Sequence, residues 1–404
     1  MIYSYSKLNK DIEFIGYLYG YKGLLNGKKI IISLSILNLL VKEEKQLMVI
    51  PYGDRSGTVI EPWLTEQWFC DAKKLSIDPI EAVKSGKTKF VPKQWEKTFF
   101  NWMENIKPWC ISRQLWWGHQ IPAWYGPDGQ TFVSMNIQEA QKQANNYYKK
   151  DVILKQDGDV LDTWFSSALW TFSTLDWPDY NYELKRFYPG NVLVTGFDII
   201  FFWVARMMMM GSYFMKKTPF RDVYIHPLIR DEKGQKMSKS KGNIIDPLNL
   251  LNKYGADTLR FTLIALLNPG RDVKLSESRI KGYKSFTNKI WNAANFLNLN
   301  NCKYNPDFDY KNIKSSLNQW LLNNLFTTKN NIEKHIKDYA FHEIAYDIYH
   351  FVWHEYCDWF IELSKSTFLN NSKFSAFVSV SSAKSFHFTI ILSIISFSSS
   401  LISL

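Results

Sequence analysis

Cysteine is scarce in this sequence. Its four copies, Cys70, Cys110, Cys302 and Cys357, lie far apart and never form a Cys-x-x-Cys pair. That spacing argues against a disulfide framework and against a thiolate zinc site, so no protein-bound zinc is expected and a reducing cytoplasm fits best. Acidic residues are also in short supply: 38 Asp and Glu face 49 Lys and Arg, for a net charge of +11. Such an excess favours a polyanionic partner, nucleic acid above all, through counterion release. The opening "MIYSYSKLNKDIEF" holds no uninterrupted apolar run, so no secretory signal is expected. Clean membrane spans are missing too. Residues 195–211, "TGFDIIFFWVARMMMMG", are broken by Asp198 and Arg206 and read as a buried helix. The last twenty residues, "SFHFTIILSIISFSSSLISL", lack charge but include seven serines, which makes insertion marginal. No membrane partner is expected, and this end reads as poorly ordered or aberrant. No internal repeat is apparent.

What is present divides into four regions. With 404 residues, 46% of them apolar, the chain is long enough for two or three domains. Residues 1–48 mix polar stretches with a dense apolar run whose helix or strand character the pattern leaves open. Residues 49–275 alternate short apolar runs such as "GNVLVTGFD" with helical ones such as "IIFFWVARMMMMGSYF", the signature of α/β construction. "NPGRDVKLSESR" at 268–279 carries the Pro-Gly and charge punctuation of a boundary. Residues 276–372 read as helices, with Ile332, Ile336, Ile344, Ile348, Val352, Trp359 and Leu363 near one face. From 373 to 404 the composition shifts to Ser, Phe and Ile.

One stretch concentrates chemistry. In "HPLIRDEKGQKMSKSKGN" (226–243) an apolar run leads into a turn that delivers Lys233, Lys236, Lys239 and Lys241 within nine residues. They alternate with Gly234, Ser238, Ser240 and Gly242, small residues that let backbone N–H groups approach an anion. Lysine is a compact point charge on a long stem, suited to reaching over phosphates. Lys236 and Lys239 could close on a triphosphate; the alternative is a solvated basic turn.

The full "KMSKSKGN" resembles the signature loop of class I aminoacyl-tRNA synthetases. Five further blocks resemble the valyl subfamily in order: "GDRSGTVIEPWLTEQWFCDAKKL" (53–75), "KFVPKQWEKTFFNWMENIKPWCISRQLWWGHQIPAWY" (89–125), "DVLDTWFSSALWTFSTLDWP" (159–178), "TGFDIIFFWVARMMMMG" (195–211) and "YGADTLRFTL" (254–263). "QLWWGHQIPAWY" and "DTWFSSALW" favour that subfamily over its isoleucyl and leucyl relatives. The resemblance spans roughly residues 37–370. It implies the second half of a Rossmann-like α/β catalytic domain over 49–275, then an all-α anticodon-binding helical bundle over 276–372. It also implies a substrate set of valine, ATP with Mg2+ and tRNA-Val, and a monomer in the cytoplasm. Lys236 and Lys239 would stabilise charge on the ATP phosphates, with Met237, Ser238 and Ser240 completing the loop, and Asp198 and His226 would meet the nucleotide. Trp164 and Trp203 would wall the amino-acid pocket, where rigid rings exclude side chains larger than valine. Simple helix capping is the competing role for Asp198, core packing for His226, and His119 reads as structural.

The bundle's His350 and His354, with Glu355 beside them, lack the order of a zinc-protease motif and read as packing or tRNA-facing. Lys281, Lys284, Lys289, Lys329, Lys334 and Lys337 belong to the same region and could meet phosphates. Departures matter as well. The His-x-Gly-His motif that accompanies the lysine loop in this family occurs nowhere here. Residues 1–48 resemble only the end of the editing insertion, so proofreading against an isosteric hydroxyl is not expected. These departures point to a fragment, from a truncated or frame-disrupted gene, with impaired activity unless a complementing N-terminal half is supplied. A noncatalytic tRNA- or ATP-binding remnant, or a pseudogene product, is the alternative.

Overall fold

The computed structural model describes residues 51–369, apart from 54, 55, 61–64, 239–241, 269, 271, 301, 303–310 and 312. Residues 1–48, the tail from 373, Lys239 and Ser240, all singled out above, lie outside the described residues. The chain separates into two units, Met1–Trp68 and Phe69–Leu404.

In the first unit a turn folds Tyr52 back against Val59. Gly57 takes the left-handed φ of 63° that the reversal requires, and the amides of Gly53 and Ile60 donate to the carbonyls of Thr58 and Pro51 at 2.8 and 2.9 Å.

The second unit is built on a parallel sheet of β1 (Lys89–Val91), β2 (Gly190–Gly196) and β3 (Phe220–His226), in the order β1-β3-β2. Its register pairs Val223 with Phe90 and Leu193, and His226 with Gly196. Val223, Ile225, Leu193 and Phe90 are buried and share one face, while Val192 and Val194 on the opposite face of β2 are exposed. Two helices near the sheet are α1 (Trp95–Glu104) and α2 (Thr163–Ala168). β2 runs into a 3-10 turn, Phe197–Ile199, then a π-helical turn, Ile200–Ala205, then α3 (Arg206–Met215). Met207, Met208, Met209 and Met210 are all buried, so the first turns of this helix are enclosed on every side at the centre of the core. The stretch Phe197–Met215 is long and apolar enough to cross a membrane by length and composition, yet here it packs against α1, α2 and the sheet. Between α1 and α2 a small antiparallel sheet of 123–125, 131–133 and 155–156 is closed by the helix Ile137–Tyr148, around Trp124, Phe132, Ala140 and Ala144.

After β3 the chain forms β4 (Ile229–Arg230), α4 (Pro247–Tyr254), α5 (Ala256–Ala265) and β5 (Val273–Lys274), with β4 and β5 parallel. Four helical segments complete the described residues: α6 (Glu277–Leu299), α7 (Ser316–Lys337), α8 (Phe341–His350) running into the π-helix Phe351–Ile361, and α9 (Glu362–Leu369). Their shared core includes Phe286, Leu297, Leu321, Tyr356 and Phe360 and reaches back to Phe261 on α5. Ile332, Ile344, Ile348 and Val352 are buried as the periodicity suggests, but Ile336 (42% exposed), Trp359 (62%) and Leu363 (53%) face solvent. Ile336 falls in the last turn of α7. Trp359 and Leu363 follow an i→i+5 ladder, which winds more residues per turn than 3.6 and rotates them off the stripe.

Tyr339, between α7 and α8, ties the bundle to the sheet. Its hydroxyl donates to Asp222 Oδ2 at 2.8 Å, and its ring lies 5.9 Å from that of Tyr224 on β3.

Candidate active site

The carboxyl ends of β2 and β3 stand side by side, where open α/β sheets gather ligands. Gly196 ends β2 in an ordinary extended conformation, so its use is proximity rather than backbone freedom. A Cβ there would lie 2.7 Å from Asp198 Oδ1, 3.4 Å from Leu228 Cδ2 and 3.7 Å from His226 Cε1. Asp198 is exposed in the 3-10 turn; the N-cap position belongs to Gly196, and no side chain caps the turn. The capping alternative for Asp198 therefore has no geometric basis, and its carboxylate is open. His226 is half-buried and its Nδ1 lies 3.0 Å from the Pro227 carbonyl, which can only accept, so Nδ1 is the donor of that contact.

The lysine loop follows directly. At its base Arg230 pairs with Asp272 through the side chain and with Lys236 through a backbone bridge. Asp231 and Asn243 then clasp it from both ends. Asp231 accepts the Gln235 amide at 2.6 Å and the Asn243 side-chain amide at 2.9 Å, while its carbonyl accepts the Gly234 amide at 2.9 Å. Gly234 takes a φ of 81°, a left-handed turn that explains a glycine at this position. Asn243 Oδ1 accepts the Ser238 amide at 3.0 Å, and Nδ2 also donates to the Lys236 carbonyl at 3.3 Å. The Asn243 and Gln235 donors hold the Asp231 carboxyl below its usual range. With the backbone fixed, Lys236 is exposed and its ammonium has no partner among the described residues, whereas Met237 and Ser238 are half-buried. Asp231 and Asn243 carry no signal in composition; only their spacing around the lysines could have flagged them.

The two tryptophans lie on adjacent elements. Trp164 on α2 stacks on Phe202, with centroids 5.6 Å apart at 29°. Trp203, in the π-helical turn continuous with Asp198, donates from Nε1 to the Ser167 carbonyl at 3.2 Å and lies 5.6 Å from Trp170. Both are half-buried. The start of α2 is pinned by Asp162, which is buried and accepts from Trp109 Nε1 at 3.1 Å and from Arg206 at 3.3 Å, with Arg113 at 3.4 Å. The Arg206 guanidinium sits 4.1 Å from the Trp109 ring, and desolvation pushes its pKa down to about 10 against the attraction of Asp162. Arg206, a mere interruption of an apolar run in the sequence, is thus the buried cation that couples α3 to α2.

His119 is exposed and contributes its carbonyl, which accepts the Leu161 amide at 2.7 Å. His350 and His354 have ring centroids 5.4 Å apart in the helical region, each beside a carboxylate. Among the described residues no group of three His, Cys, Asp or Glu side chains is arranged to hold a metal ion.

The family description "tRNA synthetases class I (I, L, M and V)" matches residues 8–276, and "Anticodon-binding domain of tRNA ligase" matches 318–397. The chain is 59% identical over 339 residues to a valine–tRNA ligase of Pelagibacter ubique and 54% identical over 372 residues to one of Rhodopseudomonas palustris. These alignments cover 84% and 87% of the chain and 39% of each relative, so the chain spans about two fifths of their length. Among solved structures, Mycobacterium tuberculosis methionyl-tRNA synthetase in complex with methionyl-adenylate superposes with a TM-score of 0.65 at 18% identity, over 87% of this chain and 63% of that one. At that identity the likeness speaks for the fold.

Proposed function

Since the chain belongs to the class I tRNA synthetases (I, L, M and V), we propose that its strand-end cluster and lysine loop are the nucleotide side of a valine-activating site. Valine's carboxylate attacks the α-phosphate of ATP, which arrives as its Mg2+ complex; valyl-adenylate forms and pyrophosphate leaves. A hydroxyl of the terminal adenosine of tRNA-Val then takes the valyl group and releases AMP. No covalent enzyme intermediate is needed, so positioning and electrostatics carry the catalysis.

Each residue has a task within that scheme. Lys236 and Lys239 place positive charge where the departing pyrophosphate gains negative charge, with Met237, Ser238 and Ser240 shaping the loop. Asp198 accepts from nucleotide hydroxyls, and the bare Cα of Gly196 leaves room for the nucleotide to approach. His226 packs beside it. Trp164 and Trp203 wall the side of the pocket that sees valine's methyl groups. The observation that carries this reading is the meeting of Gly196, Asp198 and His226 at the ends of two paired parallel strands, one of which leads into the lysine loop.

The His-x-Gly-His pair that opposes the lysines in the family is absent from these 404 residues. We therefore assign these 404 residues nucleotide and tRNA binding, as a cytoplasmic monomer, with turnover impaired where that histidine pair is not supplied. The family-level resemblance at residues 318–397 supports tRNA as the partner of the helical region. Valine-dependent exchange of labelled pyrophosphate into ATP tests the assignment. Background exchange is expected from the chain alone; exchange well above background that Lys239→Ala abolishes would overturn the impaired reading.

A further inference from the structure

The strands of the main sheet are parallel, so their amino ends lie together at the end opposite the nucleotide cluster, about 20 Å away along the seven-residue β2. Three segments enter the sheet there: 85–89 into β1, 182–190 into β2 and 213–220 into β3. Hydrogen bonds stitch them together. Thr88 Oγ1 lies 2.7 Å from Thr218 Oγ1 and donates to the Phe220 carbonyl at 2.9 Å. The Tyr188 hydroxyl donates to the Lys217 carbonyl and the Gly190 amide to the Pro219 carbonyl, both at 2.9 Å.

Each segment delivers two cations: Lys87 and Lys89, Lys185 and Arg186, Lys216 and Lys217. All six are exposed, and none has an ion-pair partner among the described residues. Glu183 is the sole acidic residue of these segments. Asp222, opposite Lys89 in the register, is taken by the Tyr339 hydroxyl and by Arg221. Exposed rings are interleaved with the cations. Lys216 Nζ lies 4.9 Å from the centroid of Tyr213, and the Arg186 guanidinium 5.8 Å from that of Phe187. Both rings are exposed and lie outside the hydrophobic core, so packing does not account for them.

We propose that the amino end of the sheet binds a single-stranded polynucleotide, apart from the nucleotide site, with its phosphates on the six cations and its bases on Tyr213 and Phe187. The outer strands β1 and β2 are about 10 Å apart, so a backbone crossing the three strand ends passes every pair of cations. Positive grooves interleaved with aromatic faces hold such strands without sequence preference, because every base has a flat face to stack. An acidic peptide would match the charge and leave the rings idle. An anionic membrane calls for the apolar face of one amphipathic helix, whereas these rings come from two separate elements. The site requires no activation of valine and stands independently of that reading.

The test uses the purified 404-residue chain and a fluorescein-labelled oligouridylate of about 16 nucleotides. Three paired variants, Lys87→Gln with Lys89→Gln, Lys185→Gln with Arg186→Gln, and Lys216→Gln with Lys217→Gln, are each checked for an unchanged melting transition. Each pair should weaken binding about tenfold at about 0.1 M salt and lower the salt slope by about 1.4, for two single-strand contacts at about 0.7 each. Tyr213→Ala should weaken it about fivefold or more through lost stacking. Saturating Mg-ATP and Lys236→Ala should leave oligonucleotide binding as it is, and the paired variants should keep their affinity for Mg-ATP and for a tRNA-Val transcript. A parent that does not bind the oligonucleotide, variants that bind it as tightly, or displacement by Mg-ATP would overturn the proposal. So would an equal loss of tRNA-Val affinity, which would merge the patch with substrate binding. Polyglutamate or phosphatidylserine vesicles bound as tightly, with the same sensitivity to the substitutions, would also overturn it in favour of an acidic protein or a membrane.

Discussion

At the scale of single residues, the lysines of "KMSKSKGN" were legible in the sequence because charge alternating with small residues is a compositional signal. The clasp was not. Asp231 and Asn243 act by hydrogen-bonding backbone amides across the loop, a role that leaves no periodicity behind. Asp231→Ala should release the Gln235 and Asn243 amides together and weaken ATP binding several-fold, with little change in melting temperature, because the residue lies at the surface. Its pH behaviour follows from the depressed pKa. A carboxyl that is more acidic folded than unfolded contributes stability above the unfolded value, here 3.8, and loses it as pH falls through the lower folded value. The clasp should thus be insensitive to pH from neutrality down to 3.8, a range that amide exchange at Gln235 and Ser238 can follow. Gly196→Ala is the sharper probe of the strand ends. The added methyl lies 2.7 Å from Asp198 Oδ1, so the carboxylate must swing away. ATP affinity should fall at least tenfold while the melting temperature moves little; equal affinity would mean that Asp198 does not face the nucleotide.

Elements were readable where one period ran uninterrupted. "GNVLVTG" reads as β2 and the methionine run as α3, because each carries a contiguous apolar run of the length its element needs. The helical stripe failed where the ladder changed: Phe351–Ile361 is π-helical, and a side-chain count at 3.6 residues per turn places Trp359 and Leu363 on the wrong face. Nor could periodicity show how α2 and α3 are joined, since the joint is ionic. Asp162 serves Arg206, Arg113 and Trp109 at once. Asp162→Ala leaves a buried guanidinium uncompensated, which typically costs about 3–5 kcal/mol. Urea unfolding should show that loss, and the fluorescence of Trp164 and Trp203 should change as α2 shifts. Replacement by Asn, which keeps one acceptor, should cost less.

For the molecule as a whole, the order of an α/β region followed by helices was visible in composition, but the seam between them was not. Punctuation at 268–279 marks where the chain changes character, whereas the helical core reaches back to Phe261 on α5. The contact that ties the bundle to the sheet, Tyr339 to Asp222, joins residues 117 positions apart. No local pattern encodes it. Tyr339 adopts a φ of 55°, an unfavourable left-handed conformation for a bulky side chain, and its hydroxyl bond and packing on Tyr224 and Phe341 offset that strain. Tyr339→Phe should cost about 1–3 kcal/mol through the lost bond to a carboxylate. Tyr339→Gly relieves the strain yet forfeits the ring contacts as well, and should melt lower still. If both variants melted like the parent, the bundle would be held to the sheet by other contacts.

The central claim is that the ends of β2 and β3 and the lysine loop form one nucleotide site. Calorimetric titration of the 404-residue chain with Mg-ATP, beside Lys236→Ala and Asp198→Ala, addresses it directly. Saturable binding by the parent, weakened tenfold or more by each substitution with the fold intact, is the result predicted here; a folded parent that binds no ATP, or variants that bind it as tightly, would contradict the account.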